Sequence, residues 1–84
     1  MEVGEIERFW SEPLDKKVKT LFLHGTSITS IRYYGYKVNL YEVHGRLIEV
    51  FIRHKDVVID RIEPFDFKYS RLKFYTDQVK LPEL

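Results

Sequence analysis

The sequence predicts one α+β domain spanning residues 1–84, built from N-terminal helices, a four-stranded antiparallel β-meander and a C-terminal helix. Three patterns support this fold class. Apolar residues recur at helical spacing near both ends of the chain, the middle alternates apolar and polar residues, and short glycine-containing segments separate the alternating runs. A chain of 84 residues has room for one hydrophobic core, so a single domain is expected.

Two helical segments are predicted before the sheet. Residues 2–10 carry apolar side chains on one helical face, and Pro13 ends that helix because it lacks an amide donor. Proline suits the first turn of a second helix, which Ser11 or Glu12 would cap. Gly25 is expected in the left-handed position that ends this second helix. Its half-buried stripe would consist of Leu14, Val18, Leu21 and Phe22.

The first strand is predicted over Thr26 to Arg32, a stretch rich in β-branched residues, and Tyr34-Gly35 marks the turn after it. Alternating residues then predict two strands on either side of Gly45. We expect Gly45 in the left-handed bulge position of a three-residue loop.

That loop sets a register for the central hairpin. It pairs Leu40 with Ile48 and Val38 with Val50, so that one face of the sheet becomes apolar. A slip of one residue would place Glu49 opposite Leu40 and exchange the faces, so we predict against it. The helices are then expected to cover the face formed by Val38, Leu40, Ile48, Val50 and Ile52.

The fourth strand is predicted over Val57 to Ile62, with two possible registers. One pairs Phe51 with Ile59 and buries Asp60. The other pairs Ile52 with Ile59, and we favour it because a lone buried carboxylate is costly. A final helix is predicted to begin at Ser70 and to stop before Pro82, with Leu72, Tyr75 and Val79 on its apolar face.

Composition excludes several classes of protein. There is no cysteine, so disulfides and thiolate zinc sites are ruled out. The 14 basic and 13 acidic residues nearly balance, whereas nucleic-acid-binding proteins usually carry a basic excess. No apolar run approaches the ~20 residues of a membrane span. The acidic N-terminus has no hydrophobic stretch typical of a signal peptide, so we expect a cytoplasmic protein without membrane partners.

No motif indicates catalysis or a bound cofactor. His24, His44 and His54 lack the close spacing of metal ligands, and we expect structural or incidental roles for them. Gly25 follows a helix, whereas the glycines of a phosphate-binding loop precede one. We therefore expect no cofactor and no enzymatic activity. The least favoured interpretation is a small enzyme that uses Asp60 or a histidine as its acid or base.

Thirteen aromatic residues, six Phe, six Tyr and one Trp, are more than one small core can hide. We expect some of them on the face of the sheet opposite the helices, which would mark a protein-binding surface. The favoured function is therefore a protein-interaction module, with a homodimer as the simplest form. The candidate interface residues are Tyr41, Leu47, Phe51 and Ile59.

The turn after the first strand suggests an alternative function. Aromatic rings beside a basic group can stack on single-stranded bases, so a small nucleic-acid-binding domain is the second interpretation. Tyr and Arg are also enriched at the energetic centres of protein interfaces. The candidate aromatic surface consists of Arg32, Tyr33, Tyr34 and Tyr36.

Several short strings resemble a group of small uncharacterised bacterial α+β proteins. They are Gly25-Thr26, Arg32-Tyr33-Tyr34-Gly35-Tyr36-Lys37-Val38, Leu40-Tyr41, Glu49-Val50 and the ending with Leu72, Tyr75, Val79-Lys80-Leu81 and Leu84. The resemblance implies a helix–meander–helix fold and a bacterial origin. Its shared residues are packing and turn residues, so no functional residue carries over.

Overall fold

A computed structural model describes residues 4–65 and 71–78 of the chain. Within them the four strands form one antiparallel sheet in the order β1-β2-β3-β4. The predicted fold class, with two N-terminal helices, an antiparallel meander and a C-terminal helix, is confirmed. The elements are α1 (Glu5–Ser11), α2 (Leu14–His24), β1 (Thr26–Tyr33), β2 (Tyr36–Val43), β3 (Arg46–Arg53), β4 (Ile59–Pro64) and α3 (Arg71–Gln78).

The helix ends differ from the predicted caps. Ser11 belongs to the last turn of α1, and its hydroxyl donates to the Arg8 carbonyl at 2.7 Å. Pro13 itself occupies the N-cap position of α2, so the expectation of a cap at Ser11 or Glu12 is wrong. Gly25 has a φ of −84° and not the predicted left-handed conformation, because the chain passes directly from α2 into the extended backbone of β1.

The register of the central hairpin is the main departure from prediction. Val43 pairs with Arg46, so a two-residue turn of His44-Gly45 joins β2 to β3, with φ values of 51° and 76°. Two left-handed residues are typical of a type I′ turn, whose twist matches that of the flanking strands. The positive φ of Gly45 is confirmed, but the three-residue loop is wrong. Leu40 therefore lies opposite Glu49, in the register that we predicted against.

This register distributes the apolar residues over both faces of the sheet. Helices α1 and α2 cover one face, where the buried core is Phe9, Leu21, Val43, Ile48 and Val50. Helix α3 covers the other face, where the buried core is Ile31, Val38, Leu40, Phe51 and Tyr75. The expectation that the helices share one face is wrong, because α3 supplies a second layer.

The pairing of β3 with β4 follows the favoured alternative. Ile52 pairs with Ile59, as predicted, although β4 begins two residues later than expected. The register shifts at this point, so that Phe51 pairs with Arg61 and Asp60 is the extra residue of a bulge. Asp60 remains solvent-exposed and lies 3.6 Å from the Arg61 guanidinium.

The predicted turn at Tyr34-Gly35 is present and joins β1 to β2, with φ values of 43° and 79°. The last part of the chain is described only in α3. The predicted cap Ser70, the side chains of Leu72 and Val79, and the stop at Pro82 lie outside the described residues.

We expect Gly45→Val to lower the free energy of unfolding by about 1–2 kcal/mol, because a β-branched residue is strained at positive φ. A Cβ at this position has open space around it, so the loss reflects backbone conformation and not a clash. Urea unfolding measures the change. Gly45→Asn is the control and should lose less, because asparagine tolerates the left-handed region. Equal stability of the valine variant and the wild type would contradict the assignment of this turn.

A candidate docking groove beside helix α2

The four predicted interface residues do not form one surface. Tyr41 and Ile59 pack on the face covered by α1 and α2, whereas Leu47 and Phe51 belong to the face covered by α3. Phe51 is fully buried beneath α3, so the expectation that it lies at an interface is wrong. The homodimer prediction required an uncovered face around Phe51, and α3 occupies that face.

The predicted aromatic surface is also divided. The ring of Tyr33 packs edge-to-face on Phe74, with centroids 4.9 Å apart, and Tyr36 packs in the same manner on Phe51 at 5.7 Å. Tyr34 is 78% exposed. Its ring also packs edge-to-face on Tyr33 and Phe74, with centroids 4.8 and 5.7 Å apart, so only the exposed part of this ring could stack on a base.

Helix α2 leaves an apolar groove between itself and the sheet. Leu21 is buried against the core, but Phe22, one position further around the helix, is 87% exposed. The groove has a volume of 190 Å³, and its lining includes Val18, Phe22, Tyr41, Val50, Ile52 and Ile59. Two of the predicted interface residues, Tyr41 and Ile59, therefore meet here.

The size of the groove indicates the kind of ligand that it can hold. Pockets for small molecules usually have volumes of ~300–1,000 Å³, and this groove is smaller. It can accept one or two side chains of another protein. A larger depression of 560 Å³ lies between α1 and the β2–β3 turn, but its wall at Phe65 borders residues 66–70, outside the described part of the chain.

Two basic residues lie on the same face of the sheet as the groove. Arg32 of β1 pairs with Lys37 of β2, and Lys37 pairs with Ile52, which lines the groove. Cross-strand partners in an antiparallel sheet point to the same face, so the three side chains share one row. Neither Arg32 nor Lys37 forms an ion pair with any residue that the structure describes.

A second depression of 360 Å³ lies beside these basic residues. Its lining includes Ser30, Arg32, Lys37, His54 and Gln78. At this point the Gln78 carboxamide forms hydrogen bonds with the backbone of the edge strand β1. It accepts from the Arg32 amide at 2.7 Å and donates to the Arg32 carbonyl at 2.9 Å, in the manner of a neighbouring strand.

Glu49 is the carboxylate that the structure buries most completely among the described residues. It is fully buried beneath α3, and the Tyr75 hydroxyl donates to its Oε2 at 3.0 Å. The sequence prediction buried Asp60 in one of the two registers of β4 against β3, and its β2–β3 register placed Glu49 on the face opposite the helices. The hydrogen bond from Tyr75 therefore links α3 to the sheet at a carboxylate that has no solvent exposure.

The three histidines belong to different parts of the fold. His24 is at the end of α2, His54 follows β3, and Nδ1 of His44 lies 3.0 Å from a carboxylate oxygen of Glu5. In the described ranges, no three potential metal-ligating side chains of His, Cys, Asp or Glu lie close enough to share an ion. The described helices are also too short or too polar to cross a membrane.

Comparison with known proteins adds no relative. No family model, no curated protein and no solved structure matches the chain. The resemblance to small bacterial proteins therefore stays a prediction, and the interpretation of the groove depends on its own geometry.

Tyr75→Phe should lower the free energy of unfolding by ~1–3 kcal/mol, because it removes a hydrogen bond from a carboxylate that water cannot reach. Chemical denaturation provides the measurement. Tyr34→Phe is the matched control, since its hydroxyl is on the surface, and it should change stability by less than about 0.5 kcal/mol. Similar values for the two variants would mean that the Tyr75–Glu49 bond does not anchor α3.

Proposed function

We propose that this protein is a small non-enzymatic interaction module that binds an apolar segment of a partner protein in the groove beside α2. The observation that carries the proposal is the 87% exposure of Phe22 at the rim of an apolar groove. Burying a phenylalanine side chain contributes ~1.5–3 kcal/mol. Aromatic residues, Phe among them, are enriched in the buried centres of protein interfaces.

Both edge strands of the sheet are protected against pairing with a further strand, which favours docking on this face. The edge of β1 is interrupted by a register shift between Ser27 and Thr29, and Gln78 occupies its hydrogen-bonding groups at Arg32. The edge of β4 carries a bulge at Asp60 and ends in Pro64. Bulges, proline and covering side chains are the usual protections against strand addition. A partner is therefore expected to contact the groove and not extend the sheet.

Self-association remains one form of this proposal, with a second copy as the partner. The surface that it would use is the one around Phe22, because Phe51 is in the core. Phe51→Glu is consequently expected to unfold the chain and cannot distinguish a dimer from a monomer.

The proposal predicts that Phe22→Asp abolishes peptide binding without unfolding the protein, because Phe22 lines the groove and is exposed. The measurement is selection from a displayed library of random peptides, followed by anisotropy titration of the enriched sequences. Leu23→Asp is the matched control, since Leu23 is the neighbouring helical residue, is 60% exposed and does not line the groove. The proposal fails if no sequence is enriched, or if both variants lose binding equally.

Nucleic-acid binding is the alternative, and its support is the exposure of Arg32 near the end of β1 and of Tyr34 in the turn that follows. Given the balanced charge, we expect DNA and RNA to bind no more tightly than non-specific values of ~10⁻⁴–10⁻⁶ M at physiological salt. Anisotropy titration of labelled single strands over a range of salt concentrations tests this. A sub-micromolar complex that Arg32→Gln or Tyr34→Ala removes would favour the alternative.

A further inference from the structure

We infer that the segment bound in the groove is acidic beside its apolar anchor, and that Arg32 and Lys37 bind its carboxylates. The inference rests on the proposed function and specifies the chemistry of the partner. It follows from the register of the sheet, from the lack of a counter-charge for Arg32 and Lys37 among residues 4–65 and 71–78, and from the distance between the basic and apolar parts of the surface.

The register places basic and apolar side chains in one continuous row. Arg32 pairs with Lys37, Lys37 with Ile52, and Ile52 with Ile59, so the row crosses all four strands on the face that holds the groove. Its β1–β2 half is cationic, and its β3–β4 half lines the groove. A segment lying along this row meets both halves.

Among the described residues, the cationic half has no counter-charges like those on the opposite face. Like charges in directly opposed cross-strand positions repel, and no described acidic side chain pairs with Arg32 or Lys37. On the opposite face, Arg53 and Arg61 are both paired with acidic residues of the same chain. A partner carboxylate would relieve the repulsion between Arg32 and Lys37, and a guanidinium can bind it in a bidentate manner.

The spacing of the row limits the shape of the partner. Adjacent strands lie ~4.8 Å apart, so Ile52 and Arg32, which are separated by two strand intervals, are ~10 Å apart. An extended peptide covers this distance in about three residues. The expected ligand therefore carries an aromatic or aliphatic anchor, with Asp or Glu within a few positions of it.

The test uses two displayed peptide libraries with the same randomised core, one flanked by Glu and the other by Lys. The wild-type protein should enrich the Glu-flanked library about tenfold over the other. The double variant Arg32→Glu, Lys37→Glu should reverse the preference, and Arg32→Gln, Lys37→Gln should remove it. Lys16→Glu, Lys19→Glu is the charge-matched control on the exposed side of α2 and should keep the wild-type preference. Circular dichroism establishes that each variant is folded.

The outcomes separate the inference from the proposed function. Enrichment that depends on Phe22 but ignores the flanking charge would overturn the acidic ligand and leave the interaction module standing. Loss of preference in the Lys16, Lys19 control would also overturn it, because any surface charge would then suffice. If light scattering gives twice the 10.2 kDa chain mass and Phe22→Asp halves it, the groove belongs to a second copy, and the inference of an acidic partner segment is overturned. Absence of any enrichment dependent on Phe22 would overturn both.

Discussion

The register of β2 against β3 is the constraint on which the rest of the structure depends. A strand alternates its side chains between two faces, so the two-residue turn at His44-Gly45 decides the direction of every residue in the hairpin. It directs Val38 and Phe51 towards α3, and Ile48 and Val50 towards α1 and α2. It also directs Glu49 into the core, where the Tyr75 hydroxyl stabilises the carboxylate. The packing of a second helical layer and the burial of the carboxylate therefore both follow from the register that this turn sets.

Sequence reasoning identified the elements because each has a local signal, but the register required information from distant residues. The prediction assumed that the sheet has one buried face, and under that assumption Glu49 could not point inward. The segment from Leu47 to Ile52 is apolar at both odd and even positions, which is typical of a strand covered on both faces. That signal indicated a second layer. Tyr75 donates the hydrogen bond that satisfies the buried Glu49 carboxylate in this register. It lies 26 residues from Glu49 along the chain, so no local sequence pattern could reveal the pair.

The candidate site was predictable only in part, for a related reason. Arg32, Tyr41 and Ile59 were selected from the sequence, but they were assigned to two different surfaces. Phe22 was assigned to the buried stripe because helical periodicity describes the direction of a side chain around α2. Periodicity does not describe how much of the sheet α2 covers. Exposure of Phe22 follows from that coverage, which depends on where the helix crosses the strands.

The dimensions of the elements explain why a gap remains on this face. Eight residues of strand extend ~26 Å, whereas the 11 residues of α2 extend only ~16 Å. Helix α1 covers the end near the His44 turn, where Glu5 meets His44. Ile52 and Lys37 lie towards the opposite end of the strands, where Ile52 is half-buried and Lys37 is exposed. Polar side chains can face solvent in such a gap without loss of free energy, and those in the basic half of the row do so. The apolar half gains nothing from contact with water, and its burial is what the proposed partner segment would supply.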